Sequence, residues 1–340
     1  MKKTISLLLT LVMCAMLLFS LASCTPSDNY QLKIGYLNGP TGMGMAKLIN
    51  DNSGIDGNDK YTFSATTAEL VGAAVSKGGS SGGFDIACMP TNLAATLYNK
   101  NSDIEILAIN CLNSIYVITD KITTVNTFAD LDGKTIYTCK GGTPAPILNA
   151  LLDAYDIDAT VTNEFNGQII AKPEDLSAVL TAKDGAPAIV VAPEPIITSA
   201  NLALKSDNTN DNEYSIDIDL GAVWKEKFDT DITMGCIVAN KNTIENHKEL
   251  VNAFLAEYKA SIEYVGASAN IDNAAELIKD AGIMGAVPAA KTALTNLNRG
   301  GYIAYLDGAE MKTALEKVYN AFGMQLIGGK LPDEDFYYEK

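Results

Sequence analysis

The sequence predicts an α/β protein folded as two lobes. From Tyr30 onward, strand signals and helix signals alternate along the chain, and repeated strand–helix units give mostly parallel sheets with helices on their faces. More than 300 residues follow the apolar N-terminal segment, more than one hydrophobic core usually serves, so two lobes are expected. No tandem repeat or low-complexity tract points to a solenoid or a disordered tail.

The elements follow in order. Residues 32–37 form an apolar strand, 38–42 a Gly/Pro turn and 43–50 a short helix. Residues 61–65 read as a second strand and 68–76 as a helix. The run 84–89 is a third strand, and Pro90-Thr91-Asn92 opens a helix through Tyr98, with proline and a polar capping residue as start signals. Residues 104–110 and 114–119 are extended. A second series begins at 128–134, with a strand at 135–139, a Gly-rich loop at 140–144 and a helix at 145–155. A helix at 174–182, a strand at 188–191 and a helix at 195–204 come next. The Asp/Asn-rich stretch 206–213 is a solvated loop, and 232–239 a strand. The longest helical pattern, 241–266, carries Leu250, Phe254, Tyr258, Ile262 and Val265 at steps of three and four residues. Helices near 272–280, 288–297 and 308–322 close the chain.

The N-terminus predicts the compartment. Lys2 and Lys3 precede an uncharged apolar run from Ile5 to about Leu21, the layout of an export signal and too short for a mature span. Leu21-Ala22-Ser23-Cys24 places small residues directly before a cysteine, as in a bacterial lipobox. Residues 1–23 are therefore expected to be removed, Cys24 to be lipidated, and residues 24–30 to form a polar tether. The expected address is extracytoplasmic, lipid-anchored on the cell membrane. Loss of Lys2 and Lys3 moves the formal charge from −16 to −18. A surface this acidic repels nucleic acid and anionic lipid but says little about a small ligand.

Chemistry-bearing residues are sparse. His247 is the only histidine, so acyl-transfer triads and histidine-based metal sites are nearly excluded, and no cofactor or metal is expected. It is expected on the exposed polar side of a helix start. Cys88, Cys111, Cys139 and Cys236 are widely spaced in apolar runs, form no CxxC pair, and read as buried free thiols. Arg299 is the only arginine and reads as a surface residue before Gly300-Gly301. No phosphate-binding fingerprint is present.

Four local patterns then carry a resemblance: KIGYLNGPTGMGMAKLI (33–49), FDIACMPTNLAATLYN (84–99), TFADLDGKTIYTCKGGTP (127–144), and AIVVAPEPIITSA (188–200) followed by residues 232–258. In order and spacing the chain resembles the NMT1/SsuA-type substrate-binding proteins, which serve ABC importers of sulfonates, nitrate and thiamine-precursor pyrimidines. The resemblance implies a two-lobed, type II periplasmic-binding-protein fold. Lobe one would comprise 30–114 and 241–340, and lobe two 115–240, with a hinge of two crossings near Ser114–Val117 and Thr233–Ile237. It implies a monomeric, non-enzymatic receptor for a small organic ligand of the pyrimidine, sulfonate or aromatic acid class, with an ABC permease and ATPase as partners. A lipid-anchored sensory protein and an enzyme using Asp85 or Glu194 are the competing readings.

Ligands of α/β sheets collect beyond the carboxyl ends of strands, where helices begin. Three loops fit: Thr41, Gly42 and Met43 after the first strand, Thr91 and Asn92 after the third, and Gly142 and Thr143 in the second lobe. Asn110, at a strand end, faces the cleft or caps a turn, and the sequence leaves both open. The resemblance places Glu194 at the cleft, where it accepts a ligand amine; otherwise it starts the following helix electrostatically. Thr233 and Met234 fall at the second crossing. Of the aromatic residues able to stack on a ligand, Tyr36 and Tyr137 read as core, while Tyr116 and Trp224 stay open.

Overall fold

A computed structural model describes residues 30–52, 60–100, 103–182, 185–206 and 213–340. The expected signal, Cys24, most of the tether and most of the Asp/Asn-rich loop lie outside them. Entering the first lobe, the chain forms β1 (Leu32–Leu37), α1 (Pro40–Met43), α2 (Ala46–Asn52), β2 (Tyr61–Thr66), α3 (Ala68–Lys77), β3 (Ile86–Pro90), α4 (Thr91–Asn99) and β4 (Ile104–Leu112). It then builds β5 (Ile115–Thr119), β6 (Thr135–Tyr137), α5 (Pro144–Tyr155), β7 (Thr160–Thr162), a small hairpin of β8 (Glu164–Phe165) and β9 (Gln168–Ile169), α6 (Asp175–Leu180), β10 (Ile189–Pro193), α7 (Ile196–Ser206), β11 (Ser215–Asp219) and α8 (Leu220–Phe228). It returns through β12 (Thr233–Asn240), α9 (Lys241–Gly266), α10 (Ile271–Asp280), α11 (Val287–Arg299), β13 (Ile303–Leu306) and α12 (Gly308–Phe322).

The strands form two main sheets, ordered β13-β4-β12-β3-β1-β2 and β11-β5-β10-β6-β7. Both are mixed, which corrects the expectation of mostly parallel sheets. β1 pairs in parallel with β2 and β3, and β6 with β7 and β10. The pairs made by β4, β5 and β12 run antiparallel. β5 and β12 each enter their sheet from a crossing and run against the strands on either side of them, while β4 keeps the direction of β3 through α4.

β12 also corrects the expected extent of the second lobe, which ran to residue 240. Gly235–Ala239 pairs with β3 on one side, and the strand pairs with β4 on the other, at the centre of the first sheet. Its run Cys236-Ile237-Val238-Ala239 is wholly buried, the pattern of a strand covered on both faces. The return crossing therefore precedes Thr233. There the two passing segments bond to each other. Asn113 N–H donates to Ile232 O at 2.8 Å, Ile232 N–H donates to Asn113 Oδ1 at 2.9 Å, and Asn113 Nδ2 donates to Asp231 Oδ1 at 3.0 Å. Asn113 and Ser114 adopt left-handed backbone, with φ of 51° and 60°; asparagine tolerates that region better than most residues.

Local sequence explains the helices beside the cleft. α5 opens with Pro144, whose fixed φ suits a first turn, and buries Ile147, Leu148, Leu151 and Leu152 at helical spacing. The Asp219 carboxylate caps α8, accepting from Gly221 N–H at 2.9 Å and Ala222 N–H at 3.2 Å. α9 holds a non-helical residue, His247, with φ −136° and ψ 34°. Its ring is half-buried and stacks on Tyr30, centroids 3.9 Å apart, which corrects the expected exposed position. Arg299 ends α11, exposed, where a cation complements the helix dipole.

The apolar core crosses between the lobes. One buried cluster runs from the first sheet to Leu176, Ile197 and Ala200 of α6 and α7. The other, around β5, β6, β10, α5 and α8, takes in Val318 from α12. The four described cysteines are buried and free, and burial pushes the Cys88, Cys111 and Cys139 thiols up to about 12.

Candidate functional site

A cleft of 630 Å³ opens between the two sheets. The first lobe contributes the segments that follow β1, β2 and β3, including Thr41, Thr67 and Asn92. The second contributes Gly142 and Thr143 before α5, Glu194 between β10 and α7, and Lys172 before α6. Ser114 lines it from the outward crossing and Met234 from the start of β12. β1, β2, β3 and β10 all present their carboxyl ends to it, the position at which α/β sheets bind ligands. Thr143 is buried, and its hydroxyl lies 3.8 Å from Met234 Sδ. That weak contact marks where the opening of α5 meets the start of β12.

Six of the eleven sequence-predicted positions line the cleft: Thr41, Asn92, Gly142, Thr143, Glu194 and Met234. The other five sit behind it, each for a physical reason. A Cβ on Gly42 would lie 1.8 Å from Leu37 O, so glycine there permits α1 to pack on β1. Met43 is fully buried. The Thr91 hydroxyl donates to Thr233 O at 2.6 Å, which uses Thr91 to tie α4 to β12; Thr233 is itself fully buried. Asn110 is buried in the first lobe, donating to Thr41 O at 3.0 Å and Tyr258 OH at 2.9 Å. Its bond to the Thr41 carbonyl reaches the back of the cleft wall.

Glu194 lines the cleft, but its carboxylate is largely engaged. Oε1 accepts from Thr198 Oγ1 at 2.9 Å and from Asn296 Nδ2 at 2.5 Å, and Oε2 accepts from Thr198 N–H at 3.2 Å. Asn296 belongs to α11 of the first lobe, so this bond crosses the lobes. Burial raises the Glu194 carboxyl above its usual range, opposed by the bonds from Asn296 and Thr198. Asp85, the other candidate acid, is fully buried away from the cleft. It accepts from Tyr30 OH at 2.9 Å, Lys33 N–H at 2.9 Å and Thr243 Oγ1 at 2.7 Å, a set that joins strands and helix.

Sequence reasoning missed Thr66 and Thr67, Ser114, and the rim pair Lys172 and Glu69, whose charged atoms lie 3.8 Å apart across the lobes. The first two were within reach: residues 66–67 form a strand-to-helix turn like the three chosen, and the same rule selects them. The rim pair had no sequence signal, since it unites residues a hundred positions apart. Tyr36, Tyr116, Tyr137 and Trp224 do not line the cleft. Trp224 is fully buried against Phe228 and Phe322.

Two mixed α/β lobes joined by paired crossings, with the cleft at their strand ends, define the two-lobed periplasmic-binding-protein fold. Solved structures share it. An ABC transporter protein from Parabacteroides distasonis matches with a TM-score of 0.68 at 20% identity, covering 91% of this chain and 99% of its own. The periplasmic aliphatic sulphonate-binding protein SsuA of Escherichia coli matches at 0.67 and 14% identity, covering 91% and 92%. The periplasmic nitrate-binding protein NrtA of Synechocystis PCC 6803 matches at 0.54 and 13%, covering 83% and 74%. At these identities the likeness is one of fold. No protein-family profile matches the sequence, and no curated protein matches it.

Proposed function

We propose that the protein is an extracytoplasmic solute-binding protein that hands a small organic ligand to an ABC importer, held at the membrane by lipid on Cys24. The observation that carries this reading is the 630 Å³ cleft between the lobes, lined from the first by hydroxyl and amide side chains and from the second by Thr143, Lys172 and two glutamates. Such a volume suits a small molecule, and closure about two adjacent crossings is how two-lobed receptors enclose one. The structural neighbours named for sulphonate and nitrate binding support the reading by fold. Catalysis finds little support in the cleft: of the two candidate acids, Asp85 lies outside it and Glu194 is engaged by Thr198 and Asn296. The anchor rests on the sequence around Cys24 alone. Replacing Cys24 by Ala should move the protein from the membrane fraction to the soluble one.

The reading is tested by thermal denaturation of residues 25–340 against pyrimidines, sulfonates, nitrate, aromatic acids and amino acids. A solute bound only by the native state adds about 2.7 kcal/mol at a hundredfold excess over its dissociation constant. It should be recovered unchanged. Thr41→Ala, Asn92→Ala and Thr143→Ala should each weaken binding about three- to tenfold, the worth of one hydrogen bond, and leave the unliganded melting temperature nearly unchanged. Normal binding by all three variants would move the site elsewhere.

A further inference from the structure

Proline is concentrated where the cleft meets the helix starts. Six of the eleven prolines in the sequence line it: Pro40, Pro90, Pro144, Pro173, Pro193 and Pro195. Proline carries no N–H, so each one at a helix start removes a donor that an anion would use. Pro40 and Pro144 stand in the first turns of α1 and α5, Pro90 caps α4, and Pro195 directly precedes α7. Pro146 removes a second donor from α5, and Ile147 N–H is taken by Thr143 O.

At two further helix starts a carboxylate of the chain itself takes a backbone amide. Glu194 accepts Thr198 N–H at the start of α7. At the start of α3, Glu69 is held below the usual carboxylate range by its own backbone N–H and by Thr67. The charge balance points the same way. Among the described residues, Glu69, Glu174 and Glu194 line the cleft against one cation, Lys172, which is paired with Glu69 at 3.8 Å, and neither the single arginine nor an aromatic ring lines it. A sulfonate or nitrate entering here would exchange its water for Thr, Ser and Asn side chains and one lysine that is already paired, against an excess of carboxylates.

Resting on the solute-binding reading above, we infer that the cleft selects a neutral or cationic organic solute that donates N–H bonds, an amine or amide, and rejects oxoanions. The Thr and Ser hydroxyl oxygens, the Asn38 and Asn92 side-chain carbonyls and the Glu174 carboxylate at the rim are acceptors for such a molecule. The excess of acid over base in the whole chain adds a field that draws cations inward.

The test is titration calorimetry of the full chain in detergent, stripped of solute by unfolding and refolding. One panel holds methanesulfonate, nitrate, sulfate and benzoate. The other holds ethanolamine, putrescine, glycinamide and an aminopyrimidine. Any molecule released on unfolding is identified by mass. Binding within the second panel, at least tenfold tighter than any oxoanion, is the expected result, as is release of a neutral or cationic molecule. For a cationic ligand, Glu174→Gln should weaken binding about threefold, and the effect should fade as salt rises. Tighter binding or release of an oxoanion overturns the charge inference and leaves the solute-binding reading standing. A flat response to both panels with nothing released overturns both.

Discussion

Glu194 shows how a residue chosen for its chemistry can have its chemistry spent on structure. Its carboxylate accepts three bonds, one of them from Asn296 on the other lobe, yet burial still raises its pKa. The folded protein therefore holds this proton more tightly than the unfolded chain, whose glutamate titrates near about 4.3. The stability from the protonated form is present below that value and is lost as pH rises to the raised folded value. Glu194→Gln keeps the shape and removes the titration. The stability difference between variant and parent should shift in favour of Gln as pH rises through that window, by at most about 1.4 kcal/mol per pH unit, and then level off. Urea unfolding at a series of pH values measures it. A difference that stays constant with pH would mean that the carboxyl is not perturbed. Asp85 was equally open in the sequence as an acid candidate. No local signal distinguished the two, because what separates them is which distant residues surround each carboxylate.

At the scale of elements, the close packing of α1 on β1 decides what Gly42 does. Its amide and that of Met43 both donate to Gly39 O at 3.0 Å, winding a single turn tightly against the end of the strand. Gly42→Ala drives a methyl group to within 1.8 Å of Leu37 O, which is backbone and cannot rotate aside. The variant should lose about 3 kcal/mol of stability, read as a lower midpoint in urea. Unchanged stability would show that α1 shifts freely. Most of the elements around the cleft were legible, because proline starts and three- and four-residue apolar spacing mark α4, α5 and α9 without tertiary help. Those that were missed lack such marks. β11 alternates strictly, as Ser-Ile-Asp-Ile-Asp, but over only five residues, and β13 has four; both are edge strands whose partners, β5 and β4, lie far off in sequence. α8 was not read as a helix, although Asp219 supplied a cap signal. The turn rule picks out three loops that border the cleft, but which residue of each loop faces it depends on rotation about the turn. That is why Asn92 lines it and Thr91 does not.

Across the whole molecule, two lobes of this fold raise the question of whether they unfold apart. The contacts argue that they do not. On one flank, Glu194 bonds to Asn296 and Tyr302 OH donates to Asp219 Oδ2 at 2.5 Å. On the other, Val318 joins the core of the second lobe, and Phe322 meets Trp224 edge to face with centroids 5.9 Å apart. Between them the crossings bond through Asn113 and Ile232. Opening the second lobe alone would expose Trp224 and Val318 to water and leave the carboxylate of Glu194 without a cross-lobe donor, so each lobe raises the cost of unfolding the other. The chain should therefore unfold in one cooperative step, with Trp224 emission and far-ultraviolet circular dichroism giving coincident urea midpoints. Trp224 is the only tryptophan and sits in the second lobe at its contact with the first, so its emission reports lobe separation directly. Two transitions, with the fluorescence change preceding the loss of secondary structure, would show that the shared flanks are weaker than the lobes themselves. Rotation about the crossings would then be nearly free in the empty protein, and bound solute would have to supply the contacts that hold it closed.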